Sequence, residues 1–307
     1  MQLIEYDDTK GIDVTQYATD YSQVRSTPFS EMSWLPITAD DIEDSNPTWR
    51  FLLNATTDKH DIVNANASDA YLTLDFIFYS DKGRMEEKPS ILHSDMSGSF
   101  EIGMSNMSLH FAHSRFAVEV MTVAQSLPDT SSLTSKISVD DEYSPGVFEV
   151  VTLKLSGDSL EPTPTTYLHW KPVTYTKRER NFESIKPVKY SKPRYFNYDD
   201  LQLTKSGGLT VGYFGEDISF LNIQSTNFST GATGDKFYAG YNYTTFVILH
   251  GFGEPLYDAM SAGVIVAIGF GVGVPTLLII TGAIVIISRK IRAYRSGQKP
   301  ELLINAE

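Results

Sequence analysis

Apolar residues in the first 258 positions of the chain recur mostly at every second residue. In residues 69–80 every second residue from Leu72 to Phe78 is apolar, and residues 115–123 alternate in the same way. Similar short runs occupy residues 148–155, 210–214, 218–223 and 243–250. A period of two, rich in aromatic and β-branched residues, is typical of β-strands that bury one face.

Turn-forming residues separate these runs, for example Ser-Pro-Gly at 144–146 and Ser-Gly-Gly at 206–208. No long amphipathic helical pattern occurs before residue 259. Many short strands with turn-rich connections predict an all-β domain, an antiparallel β-sandwich that is either single or two in tandem.

A long uncharged segment follows this domain, from residue 259 to residue 288, between Asp258 and Arg289. As a helix it would be about 45 Å long, and a bilayer core of about 30 Å needs less. The sequence therefore predicts a domain at 1–258, a transmembrane helix at 259–288 in the lipid bilayer, and a tail at 289–307.

Basic residues are distributed unequally about this segment. The C-terminal flank contains Arg289, Lys290, Arg292, Arg295 and Lys299, whereas residues 243–258 contain no Lys or Arg. Positive charge favours the cytosolic side of a membrane. We therefore expect a single-pass type I protein with its N-terminal domain in a lumen and its C-terminal tail in the cytosol.

The first residues, Met-Gln-Leu-Ile-Glu-Tyr-Asp-Asp, do not resemble a signal peptide, which has a basic start and an apolar run. Two interpretations follow. Either the true N-terminus lies upstream of Met1, or the chain is tail-anchored with its domain in the cytosol.

Asn-x-Ser/Thr sequons favour the lumenal interpretation. They occur at Asn54, Asn66, Asn106, Asn227 and Asn242. Chance predicts about two sequons for this content of Asn, Ser and Thr. These five asparagines are the predicted N-glycosylation sites.

Composition excludes several classes of function. The chain contains 25 basic and 38 acidic residues, a net charge of -13, which argues against a nucleic-acid partner. It contains no cysteine, which excludes disulfides, cysteine-ligated metals and thiol catalysis.

Three motifs suggest catalysis or metal binding, and each has a simpler explanation. Gly-Asp-Ser-Leu at 157–160 matches the nucleophile block of GDSL esterases, but no histidine has Asp three residues before it. His110 and His113 would lie on opposite faces of a strand, which does not suit a shared metal. The acidic run 140–142 is typical of a solvated surface. We predict no catalytic residues, no cofactor, no metal and no small-molecule substrate.

Residues 177–194 are unusually basic for this acidic domain and contain Pro187 and Pro193. A nuclear-import signal or an anion-binding site would have this composition. A solvated basic linker over residues 177–206 explains it more simply.

Small residues line the apolar segment at helical spacing. Gly263, Ala267 and Gly271 recur every four residues, and Gly269 and Gly273 form a second row. Such rows let a partner helix approach closely in lipid, although a lone span also tolerates glycine. Pro275 is expected to kink the helix.

Two blocks carry a family resemblance. Residues 138–148, Ser-Val-Asp-Asp-Glu-Tyr-Ser-Pro-Gly-Val-Phe, and 168–175, Leu-His-Trp-Lys-Pro-Val-Thr-Tyr, resemble the signature region of the glycosylated lysosomal membrane protein family. Residues 3–8, residues 212–215 and the apolar segment with its basic flank fit the family in the same order. Family members usually have a cleavable signal and lumenal cysteines, neither of which is present in this sequence.

The resemblance implies a type I lysosomal membrane protein with a glycosylated lumenal β domain. It also implies an accessory subunit that stabilises a multi-span dipeptide transporter of the major-facilitator class and protects it from proteolysis. The alternatives are a membrane-anchored lumenal hydrolase, which needs two converging carboxylates or a Ser–His pair, and a tail-anchored cytosolic adaptor.

Overall fold

The computed structural model describes residues 1–10, 24–37, 49–58, 63, 69–124, 131–138, 143–155, 165–196, 221–258, 263, 266–267 and 269–295. Its strands are β1 (Gln2–Asp7), β2 (Val24–Pro28), β3 (Met32–Ile37), β4 (Trp49–Asp58), β5 (Tyr71–Phe78), β6 (Gly83–Arg84), β7 (Leu92–His93), β8 (Ser97–Ser105), β9 (Ser114–Ala124), β10 (Ser131–Ile137), β11 (Glu149–Leu155), β12 (Thr166–Trp170), β13 (Val173–Tyr175), β14 (Ile185–Tyr190), β15 (Arg194–Phe196), β16 (Asn222–Thr230) and β17 (Tyr243–Phe252). The helices are α1 (Phe237–Tyr241) and α2 (Val274–Arg295), and a π-helical turn spans Gly269–Gly273.

Fifteen of these strands form one sheet in which every observed pairing is antiparallel. The main path runs β2-β1-β9-β16-β14-β13-β17-β8-β5-β4-β3. The series β10-β11-β12 joins it at β17, and β15 pairs with β16. Strands β6 and β7 form a separate hairpin. The predicted all-β antiparallel class is confirmed.

The sheet folds back on itself so that its two halves pack face to face. Phe228 of β16 contacts Phe246 of β17 with ring centroids 5.0 Å apart, and it contacts Trp170 of β12 at 5.1 Å. Among the described pairings β16 is not hydrogen-bonded to β17 or β12, so these contacts cross between layers. The halves share one main core, which includes Leu72, Ile102, Phe116 and Ile248. Residues Met1–Asp258 form one unit, so the described residues of this domain support a single sandwich and not two in tandem.

Four of the predicted strands are confirmed, because residues 69–80, 115–123, 148–155 and 243–250 fall on β5, β9, β11 and β17. The strand predicted at 218–223 is displaced, since β16 begins at Asn222 and continues to Thr230. The run 210–214 and the turn 206–208 lie outside the described residues.

The basic segment requires a correction. Residues 177–194 were predicted to be part of a solvated linker, yet β14 lies within them and pairs with both β13 and β16 in the main path. Val188 of this strand is buried in the main core. Pro187 and Lys189 lie on the exposed face of the strand, opposite the buried Val188, so the Lys189 charge points to solvent while the strand contributes to the core.

The C-terminal residues form a second unit, which contains α2. A continuous helix runs over Gly269–Arg295 with a mean hydropathy of 2.4 in its most apolar 18 residues, long and apolar enough to cross a membrane. It begins with the π-helical turn just before Pro275. Proline lacks a backbone N–H, so Pro275 cannot donate the helical hydrogen bond to the residue four positions earlier. The three glycines of the π-helical turn adapt most easily to the altered backbone conformation.

Candidate functional site

A cleft of about 280 Å³ lies over the outer face of β5 and β8, and the hydrolase alternative requires such a cleft. Its ionisable lining includes Asp75, Asp81, Glu86, Glu87 and Glu101 together with Arg50 and Arg84. Asp75 and Glu101 lie directly opposite each other on the two neighbouring strands. Two carboxylates therefore converge here, as the hydrolase alternative requires.

Both carboxylates are bound by arginine. Arg50 donates from Nε and Nη2 to the two oxygens of Asp75 at 3.0 and 2.6 Å. Glu101 forms an ion pair with Arg180 and accepts a hydrogen bond from Thr245 Oγ1 at 2.5 Å. Burial raises the pKa of Glu101, and the Arg180 charge opposes that rise. The arrangement is that of an ion-pair network, in which each of the two carboxylates has an arginine partner.

The buried histidines are also held by neighbours. The His93 ring stacks on Tyr79 with centroids 3.7 Å apart, and its Nδ1 lies 3.1 Å from the Asp81 carbonyl oxygen. His169 Nδ1 lies 2.8 Å from Thr152 Oγ1. Burial lowers the pKa of both histidines, that of His169 to about 4. Thr152 itself is fully buried, so it cannot act as a nucleophile on an external substrate.

The remaining catalytic and metal motifs do not form a site among the described residues. His110 and His113 precede β9 in a turn rather than in a strand. No group of three or more His, Cys, Asp or Glu side chains in the described ranges could hold a metal ion. The Gly-Asp-Ser-Leu block at 157–160 and the acidic run at 140–142 lie outside those ranges.

The sequon asparagines differ in their surroundings. Asn242 is exposed, and Asn54 on β4 and Asn106 after β8 are half-buried. Asn227 lies within β16 and is only 3% exposed. Its backbone N–H donates to Ser191 Oγ at 2.9 Å. Asn66 lies outside the described residues.

Two sequons share one corner of the domain, where β8 ends and β17 begins. The Asn106 N–H donates to the Asn242 carbonyl oxygen at 2.9 Å. Both residues adopt left-handed backbone conformations, with φ of 45° and 54°, a region that asparagine tolerates better than most residues. The Asn106 Nδ2 also donates to Asp69 Oδ2 at 2.6 Å. Glycans on these two residues would leave the surface side by side.

The small residues of the C-terminal helix are available for packing. Gly263 and Ala267 are helical, and Gly269, Gly271 and Gly273 lie in the π-helical turn. A Cβ placed on any of these last three glycines would meet no atom within 4 Å. Large apolar side chains follow them, of which Leu278 and Ile279 are 67% and 72% exposed. This surface requires lipid or another apolar helix as its partner.

Comparisons with known proteins agree with these features. The sequence profile described as "Glycosylated lysosomal membrane protein" matches residues 1–293. Glycosylated lysosomal membrane protein A of Xenopus laevis is 27% identical over 250 residues, which cover 79% of this chain and 60% of that protein. The proteins named glycosylated lysosomal membrane protein in Mus musculus and Homo sapiens are 28% and 26% identical, over 81% and 96% of this chain. The chain spans 62% of the mouse protein and 69% of the human one.

Proposed function

Because the chain belongs to the glycosylated lysosomal membrane protein family, we propose that it is a non-catalytic accessory subunit in the lysosomal membrane. In this proposal the β domain faces the lumen and carries N-glycans, the apolar helix crosses the bilayer, and the tail lies in the cytosol. The partner is a multi-span transporter of the major-facilitator class that carries dipeptides. The subunit stabilises this transporter and protects it from proteolysis.

The apolar helix is the observation that carries the proposal. Gly263, Ala267 and Gly271, spaced four residues apart, form a strip without large side chains, and Gly271 has no neighbouring atom within 4 Å of its Cβ position. In lipid such a strip gains van der Waals contact when another helix packs against it. A helix of a multi-span transporter provides the apolar surface that this strip fits.

Two further features support the orientation and the absence of catalysis. Basic residues follow the apolar stretch, while residues 243–258 have none, which favours a cytosolic tail. The carboxylates that face each other in the cleft are bound by Arg50 and Arg180. This supports a binding protein over a membrane-anchored hydrolase.

The test is purification of the full chain, tagged on its tail and expressed behind a working signal sequence, from lysosomal membranes. A multi-span transporter should co-purify in constant ratio, and its half-life in cells should shorten several-fold when the chain is absent. A version with α2 replaced by an unrelated apolar helix is the control, and it should recover less transporter.

Two outcomes contradict the proposal. In the first, the chain purifies alone in every detergent, and transporters in cells without the chain keep their half-lives. The chain would then not be an accessory subunit. A membrane-inserted chain whose gel mobility is unchanged by removal of N-glycans would instead support a tail-anchored cytosolic adaptor.

A further inference from the structure

The last residues of the β domain fold back over its outer face instead of extending away from it. After β17 the Gly253 N–H donates to the Thr165 carbonyl oxygen at 2.6 Å, with Gly253 at a φ of 83° that favours glycine. Glu254 then forms an ion pair with Lys154 of β11, and Pro255 is buried. We name the segment Glu254–Asp258 the strap.

Tyr257 attaches the strap to three strands. Its hydroxyl lies 2.9 Å from Thr152 Oγ1 on β11. The Lys136 ammonium on β10 lies 3.5 Å from the centroid of its ring, a cation–π contact. The His169 ring on β12 packs edge-on to it at 5.3 Å. One side chain thus contacts β10, β11 and β12.

Asp258 attaches the end of the strap. It forms an ion pair with Arg84 of β6 and accepts a hydrogen bond from Ser138 Oγ, beyond β10, at 3.2 Å. The Asp258 and Arg84 side chains are only 12% and 24% exposed. A pair this sheltered from water is screened less than a surface pair and holds its partners more firmly.

We propose that the strap is a protease-resistant attachment that closes the β domain immediately before its apolar C-terminal segment. Connections between a folded domain and the next segment are usually the preferred sites of cleavage. A protease needs several residues in an exposed, extended form, so it cuts a docked segment only after local opening. Each attachment that holds Tyr257 or Asp258 lowers the population of that open form.

The strap attachments involve neither the transporter partner nor the lumenal orientation. It concerns cleavage of the purified chain alone. Rapid cleavage of the strap would not affect the proposed accessory function. Absence of a co-purifying transporter would not affect the proposed role of the strap.

Chymotrypsin is a suitable probe, because the strap contains Leu256 and Tyr257 as cleavage sites. Trypsin is the complementary probe, since residues 243–288 contain no Lys or Arg. The full chain in lipid nanodiscs is digested briefly, and mass spectrometry quantifies the fragments that end at Leu256 or Tyr257. Hydrogen exchange of the domain checks that each variant remains folded.

The chain provides a matched control for the key variant. Asp258→Ala breaks the ion pair with Arg84. Asp75→Ala breaks an ion pair with Arg50 whose two side chains have nearly equal exposure, 13% and 26%, and Arg50 lines the same cleft as Arg84. Cleavage in the strap should rise about tenfold in Asp258→Ala and stay near the wild-type rate in Asp75→Ala. Lys136→Gln, at an exposed position of β10, should give a smaller rise with no change in folding.

Equal strap cleavage in Asp258→Ala, Asp75→Ala and wild type would overturn the proposal. So would rapid cleavage after Leu256 or Tyr257 in the wild type. If Asp258→Ala unfolds, Lys136→Gln decides alone, because its side chain is exposed and only its contact with Tyr257 is at issue.

Discussion

Asn227 and Asn242 carry the same three-residue motif in opposite surroundings. Asn242 is exposed in a left-handed turn, whereas Asn227 lies in a strand paired on both sides. Oligosaccharide is added to the unfolded chain, so a glycan at Asn227 would have to be buried for β16 to join the sheet. Burial of so polar a group is prohibitively costly.

We therefore expect Asn242→Gln to remove one glycan from the folded protein and Asn227→Gln to remove none. Gel mobility or intact mass, with and without enzymatic removal of N-glycans, measures this directly. Asn106→Gln is a useful third variant, because its site adjoins Asn242. A glycan lost with Asn227→Gln would mean that β16 is not paired as described.

Arg115 shows how one residue can join distant parts of the domain. Its guanidinium is buried, forms ion pairs with Asp8 and Asp235 at 2.5 Å each, and donates to the Thr230 carbonyl oxygen at 2.6 Å. Gly231 lies beside it with a φ of 81°, where a Cβ would come within 2.4 Å of the guanidinium. Removal of either acid would leave a buried charge less compensated.

At the scale of elements, β16 explains the limit of the period-two pattern. All nine of its residues are buried, yet most of them are Ser, Thr, Asn or Gln. Ser229 of this strand bonds to a more distant strand, with its Oγ 2.6 Å from the Tyr6 hydroxyl of β1. An alternating pattern of apolar and polar residues requires one buried face and one solvent-exposed face. A strand that is buried on both faces has no such pattern.

The C-terminal helix provides a prediction at the same scale. A Cβ at Gly271 would meet no atom of the described residues within 4 Å beyond the adjacent helix backbone, so Gly271→Leu should leave the β domain folded. If a partner helix packs on the glycine strip, the added side chain separates the helices and partner recovery should fall about tenfold, equivalent to about 1.4 kcal/mol.

Ile280→Phe is the control for this variant. It also adds bulk, but at a position about two and a half turns beyond Gly271, on the side of the helix opposite the row of Gly263, Ala267 and Gly271. Co-purification from native membranes should be near the wild-type level for this variant. Equal losses of partner recovery in Gly271→Leu and Ile280→Phe would contradict specific packing of a partner helix on the strip.

At the scale of the whole molecule, acidity is expected to act through a buried histidine. The pKa of His169 is lowered from 6.5 to about 4, mainly by burial and then by the charges of Lys171 and Lys136, while Asp258 opposes them. Its neutral form is therefore favoured in the folded state. The resulting stability is complete above pH 6.5 and is lost as the pH falls towards 4, because the unfolded chain binds the proton first.

At pH 5 this effect should cost about 2 kcal/mol of unfolding free energy. His169→Asn keeps a polar atom near Thr152 and removes the titration, so its stability should fall less between pH 7.5 and pH 5. Urea denaturation of the full chain at both values measures the difference. His110→Asn, at an exposed turn, is the control and should follow the wild type. If His169→Asn and wild type lose the same unfolding free energy between pH 7.5 and pH 5, other groups control the acid response.

The sequence alone determined the features that depend on neighbouring residues. The alternation in 69–80 and 115–123 predicted β5 and β9 because each strand buries one face. The uncharged stretch predicted an apolar helix because its length and composition suffice to cross a bilayer. The positions of the sequons also follow from the sequence.

The tertiary structure decided what depends on residues far apart in the chain. Glu101 is engaged by Arg180, 79 positions away, and the strap residue Asp258 by Arg84, 174 positions away. The burial of Asn227 and the place of β14 in the sheet depend on the same long-range pairing. Local patterns indicate which face of a strand is buried, but only the assembled sheet determines which strand lies against it.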